Sequence, residues 1–296
     1  MQPDRDIVLI IKGGTIQGVF GSGVMVAFQR HNLYPRIHSI YAVSSGAHNA
    51  AYFLSKKSHE AASVYYDRLY KKHSFLKDLS FKIICRKFWD LFIHNKSFDI
   101  VDLDYVENIE RKEIPLDVEK IKNSPINFYV RVFNPKTLKL EYLDGKVDTI
   151  SRLIQSAKVP PYAFTKIKND KYLDGGIMPT RDFIKNVVKK FPDKTIIYIF
   201  NDKKTVKRVL QYLPWDLLDV LFKTRYLGIR YGIKHLFSIF NYPYVVTLKK
   251  YKHVHVLYDT VNTSKRERSR ERIIKSYEHG IRQGENVLKK LNHIKY

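Results

Sequence analysis

The chain has 296 residues, 53 Lys+Arg against 29 Asp+Glu, a formal net charge of +24 and 44% hydrophobic residues. That is enough apolar chain for one large folded domain and excludes an intrinsically disordered one. One cysteine, Cys85, excludes an intrachain disulfide and a cysteine metal cluster, and the positive excess predicts attraction to an anionic membrane surface, nucleic acid or acidic substrate. Asp4 and Asp6 stand where a signal peptide carries basic residues. The longest uncharged runs, 13–29 and 39–55, fall short of the about 20 apolar residues of a membrane span. The expectation is a cytoplasmic protein that meets membranes, if at all, from their surface.

In chain order, Ile7–Ile11 is continuously apolar and β-branched, as a strand buried on both faces of a parallel sheet should be. A glycine-rich turn, Lys12–Gly18, leads to a helix over Val19–Arg30 whose start Gly21 and Gly23 weaken. A second strand, Ser39–Val43, runs straight into Ser44-Ser45-Gly46-Ala47 and a helix ending near Leu54. The basic stretch Lys56–Lys122 reads as mostly helical, with Tyr65, Tyr66, Tyr70, Phe75, Phe81, Phe88, Trp89 and Phe92 interleaved. Strands Asn127–Phe133 and Leu138–Leu143 form a predicted hairpin. Thr149–Lys158 is a short helix stopped by Pro160-Pro161, and Lys171–Leu173 a brief strand. Thr195–Phe200 and His253–Tyr258 complete the strands, and Glu267–Asn292 is amphipathic with Ile274, Tyr277, Ile281, Leu288 and Leu291 on one stripe. Strand–turn–helix repetition of this kind specifies an α/β fold with a mostly parallel central sheet flanked by helices.

Three turns carry candidate chemistry. Ala42-Val43-Ser44-Ser45-Gly46 matches G-x-S-x-G except at its first position. Such a bend exposes a serine hydroxyl at a sheet's carboxyl edge and a helix N-terminus. Glycine two residues on favours Ser44 as nucleophile over Ser45, while either serine also suits a plain helix cap. The small residues Gly46, Ala47, Ala50 and Ala51 would let helix and strand approach. The turn holding Gly13, Gly14, Thr15, Gln17 and Gly18 can direct backbone N–H groups and a helix dipole at a phosphate or an oxyanion. It lacks the Lys-Ser or Lys-Thr of a P-loop, and no acidic residue follows about 20 positions on, which argues against a nucleotide. Asp174-Gly175-Gly176 ends a strand with a carboxylate. Alone it reads as a turn; with a serine elbow it supplies a base.

These three motifs, in this order, resemble the patatin-like phospholipases. Ser156-Ala157-Lys158-Val159-Pro160 is similar to that family's small-residue and proline segment. The resemblance covers about residues 7–200. It implies a three-layer patatin-like fold over 1–202, with a basic helical C-terminal part, 203–296, packed on it. It also implies a serine acyl hydrolase acting on phospholipid or other lipid esters without metal or cofactor. Ser44 would be the nucleophile and Asp174 its base, with oxyanion N–H groups at Gly13, Gly14 and Thr15. The chain departs from the family at Thr15, where a third glycine is usual, at Gln17, where a basic residue is usual, and at Ala42. These departures motivate an alternative: a lipid- or anion-binding protein on the same fold, with weak or no turnover.

A Ser–Asp–His triad through His253 or His255 would also fit in chain order. Residues 203–252 carry eleven Lys and Arg against Asp216 and Asp219, mixed with Trp215, Tyr226, Tyr231, Phe237, Phe240, Tyr242 and Tyr244. Rings with cations beside them suit an anionic membrane surface. Base stacking or a solvated face are the rival readings, and no nucleic-acid motif accompanies the charge.

Overall fold

The computed structural model describes residues 5–71, 101–159, 163–164, 171–177, 181–201, 217, 220–221, 224, 228–240, 248 and 251–294. Cys85, the aromatics from Phe75 to Phe92, Pro160-Pro161 and most of the basic 203–252 segment lie outside the described residues. One sheet organises the rest. Its path runs β4 (Lys139–Asp144), β3 (Asn127–Asn134), β2 (Ile37–Ala42), β1 (Ile7–Ile11), β6 (Thr195–Phe200) and β7 (Val254–Tyr258). Strands β3, β2, β1, β6 and β7 are parallel to one another; β4 and a two-residue strand, β5 (Leu173–Asp174), run antiparallel to β3.

All five residues of β1 are buried, and the strand divides them between two cores as its period of two demands. Ile7, Leu9 and Ile11 join Phe20, Val24 and Phe28 of α1 (Gly18–Arg30). Val8 and Ile10 join Ile184, Val187 and Val188 of α4 (Arg181–Lys190). Each such aliphatic side chain withdrawn from water contributes roughly 1.5–3 kcal/mol. Helix α2 (Ser45–Leu54) and α3 (Thr149–Ala157) lie on the α1 side, with Ala47, Ala50, Leu153 and Ile154 in its core.

The long helix α6 (Arg270–Ile294) covers α1. The glycines that weaken the start of α1 have a packing reason. A Cβ on Gly23 would lie 2.2 Å from the Tyr277 carbonyl oxygen, and one on Gly280 would lie 2.1 Å from that of Phe20. The two helices touch backbone to backbone, so alanine at either position would force them apart. The buried stripe of α6 differs slightly from the one predicted: Ile273 is fully buried, while Ile274 is only partly so. The close crossing turns Ser276, His279 and Gly280 inward along with Tyr277, a polar and small contact that hydrophobic periodicity does not report. Among the described residues no helix is long and apolar enough to cross a membrane.

Candidate active site

The site stands where β1 and β2 end. Ser44 has φ 54 and ψ −137, a conformation that costs a non-glycine residue about 1–3 kcal/mol. It is the N-cap of α2, where its side chain caps no N–H. A Cβ on Gly46 would lie 2.7 Å from the Ile11 carbonyl oxygen, and one on Gly13 2.4 Å from Ser44 Cβ. Both glycines are therefore required by the approach of the two turns. Ser45 is directed elsewhere: a Cβ on Gly18 would lie 2.6 Å from both its Oγ and the Tyr65 hydroxyl. Burial pushes the Tyr65 phenol well above its ordinary value, and its hydroxyl donates to Asn49 Oδ1 at 3.0 Å.

Asp174 reaches this place through strand geometry. Strand β3 pairs with β4 along one edge, from Tyr129 to Asn134. On its other edge it pairs with β2 only as far as Val130, opposite Ala42. Beyond that point β5 takes the vacated edge, with Asp174 opposite Val132. Two residues along a strand are about 7 Å, so the carboxylate turn follows directly where the elbow strand leaves the sheet. Gly176 fits between the two, since a Cβ there would lie 2.9 Å from Asp174 Oδ1 and 4.0 Å from Val43 Cγ2. The Gly176 N–H donates to Asp174 Oδ1 at 2.5 Å, and Asp174 is 4% exposed.

One short segment anchors both residues. The Ser44 N–H donates to Ser156 Oγ at 2.8 Å, and that hydroxyl donates to the Arg131 carbonyl at 3.0 Å. Two residues on, the Lys158 carbonyl accepts from the Asp174 N–H at 2.9 Å. The sequence marks this segment by its small-residue and proline pattern, but not the two bonds it makes. Gly175 is buried against Arg131, whose Cγ and carbonyl oxygen a Cβ there would meet at 2.7 Å. Burial holds the Arg131 guanidinium below its ordinary pKa, while Tyr142, Tyr198 and Asp174 act in the opposite direction. Burial also pushes the Tyr41 and Tyr142 phenols up to about 12, so both remain neutral around it.

The first turn is clamped by its carbonyls. Asn201, at the end of β6, donates its side-chain N–H to the carbonyl of Lys12 at 2.6 Å and to that of Gly13 at 3.3 Å. In a trans peptide the N–H opposes the C=O, so the N–H groups of Gly13 and Gly14 are turned away from Asn201. Asn49 donates to the Gly18 carbonyl at 2.8 Å. Thr15 has φ 56, the left-handed region that glycine adopts freely. Gln17 is buried, and its Nε2 donates to the Thr263 carbonyl at 2.8 Å. It thereby ties the turn to the segment after β7.

The histidines of the triad reading lie elsewhere. His255 pairs with Ile197 in the middle of β7, three interstrand spacings, about 14 Å, from β2. It also lies behind the carboxyl edge, because Leu257 is the residue level with Ile199, Ile11 and Ala42. Burial lowers the His255 pKa. His48, one turn after Ser44 on α2, is buried and bonded to Glu110.

A serine at positive φ on a strand-to-helix bend, with a buried carboxylate turn on the neighbouring strand edge, is an arrangement of the α/β class, where a nucleophile elbow occupies such a bend. A family model described as Patatin-like phospholipase matches residues 9–184, more than half of the chain. The chain belongs to the patatin-like phospholipase family, a family of carboxylic ester hydrolases. No curated protein sequence matches it. Among solved structures, VipD from Legionella pneumophila is similar over 97% of this chain and 67% of that one, with TM-score 0.47 and 11% identity. The complex of full-length SpcU with full-length ExoU, from the type III secretion system of Pseudomonas aeruginosa, is similar over 80% of this chain and 53% of that one. Its TM-score is 0.32 and its identity 13%. The chain thus spans about two thirds of the first and about half of the second.

Proposed function

We propose that the protein is a serine acyl hydrolase of phospholipase A or lysophospholipase type, working through a Ser44–Asp174 dyad. Ser44 Oγ attacks the acyl carbonyl of a lipid ester while the Asp174 carboxylate takes its proton. The oxyanion accepts hydrogen bonds from the N–H groups of Gly13, Gly14 and Thr15, with the positive end of α1 behind them. As the tetrahedral intermediate collapses, Asp174 returns the proton to the leaving alkoxide, and the acyl group remains on Ser44. Asp174 then takes a proton from water, whose oxygen attacks the acyl-enzyme, and returns it to Ser44 Oγ as the fatty acid leaves. The substrate lies at a membrane surface, which the charge of +24 favours when the lipid is anionic.

The observation that supports this reading is the succession of β2 and β5 on one edge of β3, with β2 leading into the elbow of Ser44 and β5 ending at Asp174. Thr15 supports turnover over silent binding, because its φ of 56 lies in the left-handed region that a glycine adopts freely. The Ser44 N–H is engaged by Ser156, so the oxyanion donors come from the first turn. The test is fatty-acid release from phospholipid vesicles. Ser44→Ala and Asp174→Asn should each lower the rate by about 10⁴-fold or more while vesicle binding persists. Undiminished release by either variant would remove the dyad.

A further inference from the structure

The described residues hold seven exposed large apolar side chains, and five of them lie in one short stretch: Leu217, Leu221, Ile229, Ile233 and Leu236. The last three recur at i, i+4 and i+7 on α5 (Ile229–Phe240) and so share one helix face. Ile229 is 72% exposed, Ile233 53% and Leu221 61%. Leu221 is near α5 along the chain and its segment reaches that helix: Thr224, three residues after it, abuts Gly232, where a Cβ would lie 2.0 Å from Thr224 Oγ1.

The opposite side of α5 is fixed beside the candidate base. Tyr231 is fully buried and packs with Phe133, Leu173 and Ile177. Its ring meets that of Phe133 at 5.6 Å, and its hydroxyl donates to the Ile177 carbonyl at 3.1 Å. Ile177 lies three residues after Asp174, and Leu173 immediately before it. An aliphatic stripe left in water is unfavourable unless something covers it. Charge identifies the cover: the surrounding sequence carries Lys223, Arg225, Arg230 and Lys234 with no acidic residue from Val220 to Lys252, in a chain of net charge +24. On α5 itself, Ile229, Ile233 and Leu236 have only cations, Arg230 and Lys234, as charged neighbours in sequence, which fits the interface of an anionic bilayer.

We propose that α5 and the neighbouring Leu221 form the element by which the protein docks on an anionic phospholipid surface, and that Tyr231 couples this element to the turn of Asp174. The choice of lipid as occupant rests on the acyl-hydrolase reading; the exposed stripe and its anchor do not. Docking through α5 brings the carboxyl edge of the sheet to the membrane, so that an ester can reach Ser44 with a short excursion from the bilayer.

The test compares wild type with the triple variant Leu221→Gln/Ile229→Gln/Ile233→Gln, both carried also in a Ser44→Ala background. Vesicles are made of equal phosphatidylglycerol and phosphatidylcholine, or of phosphatidylcholine alone. The expected result is preference of the wild type for the anionic vesicles and an affinity loss of about tenfold or more in the triple variant, the scale set by three aliphatic side chains kept from the interface. Cleavage of a soluble short-chain p-nitrophenyl ester should be unchanged. Equal vesicle affinity of triple variant and wild type would overturn the proposal. So would a wild-type self-association that the triple variant abolishes while vesicle binding stays intact, since a second copy would then be the occupant. Absence of ester cleavage in both proteins, with vesicle affinity still lost in the triple variant, sinks the hydrolase reading and leaves the docking element standing. Ile233→Trp gives an independent readout: its emission should shift to the blue on adding anionic vesicles, against the two native tryptophans. An unshifted spectrum contradicts insertion.

Discussion

The turns after β1 and β2 each hold a non-glycine residue at nearly the same left-handed φ, 56 for Thr15 and 54 for Ser44, but they are secured in opposite ways. The first is gripped by its carbonyl oxygens, through the amides of Asn201 and Asn49, which turns the N–H groups of Gly13 and Gly14 outward. The second is gripped by an N–H, that of Ser44, through Ser156. Among the described residues, one turn is thereby left with donors and the other with a hydroxyl that no hydrogen bond engages. A tetrahedral intermediate needs both. Hydrogen bonds made outside the motifs decide what each turn presents.

Removing the grip on the second turn should have the larger effect. Ser156→Ala leaves the part-buried Ser44 N–H without its acceptor and unties the elbow from the segment that also carries Lys158. The expected outcome is a kcat lowered about 10–100-fold on a soluble ester with KM nearly unchanged, and a stability loss of about 1–2 kcal/mol by chemical denaturation. A matched fall in stability with unaltered kcat would make Ser156 a packing residue only. At the first turn the change should be smaller and of opposite sign. Thr15→Gly relieves a β-branched residue of a left-handed backbone and should stabilise the protein by about 1 kcal/mol, leaving kcat within about twofold. A loss of stability would mean that the Thr15 side chain contributes more than its strain costs.

Much of this was legible in the chain. The runs Ile7–Ile11 and Thr195–Phe200 announce strands buried on both sides, because five or six consecutive apolar, mostly β-branched residues have no other economical place. The three turns were legible for the same local reason: glycine and serine are needed at fixed offsets from a strand end. What escaped is non-local. The bond from Ser44 to Ser156 spans 112 positions, that from Gln17 to Thr263 spans 246, and that from Asn201 to Lys12 spans 189. A polar side chain gives no sign in sequence of which distant backbone group it satisfies. Gln17 illustrates the point. In the motif it reads as a missing cation; in the fold it is a strap to the segment after β7. The triad through His253 or His255 failed for a topological reason, since chain order does not say that β7 lies three strands from β2.

The measurement that addresses the dyad most directly is covalent labelling with a fluorophosphonate followed by peptide mass analysis. The account predicts a single phosphonylated residue, Ser44, formed at least about 100-fold more slowly in Asp174→Asn. Labelling at Ser45 or at a distant serine, or a rate indifferent to Asp174, would contradict it.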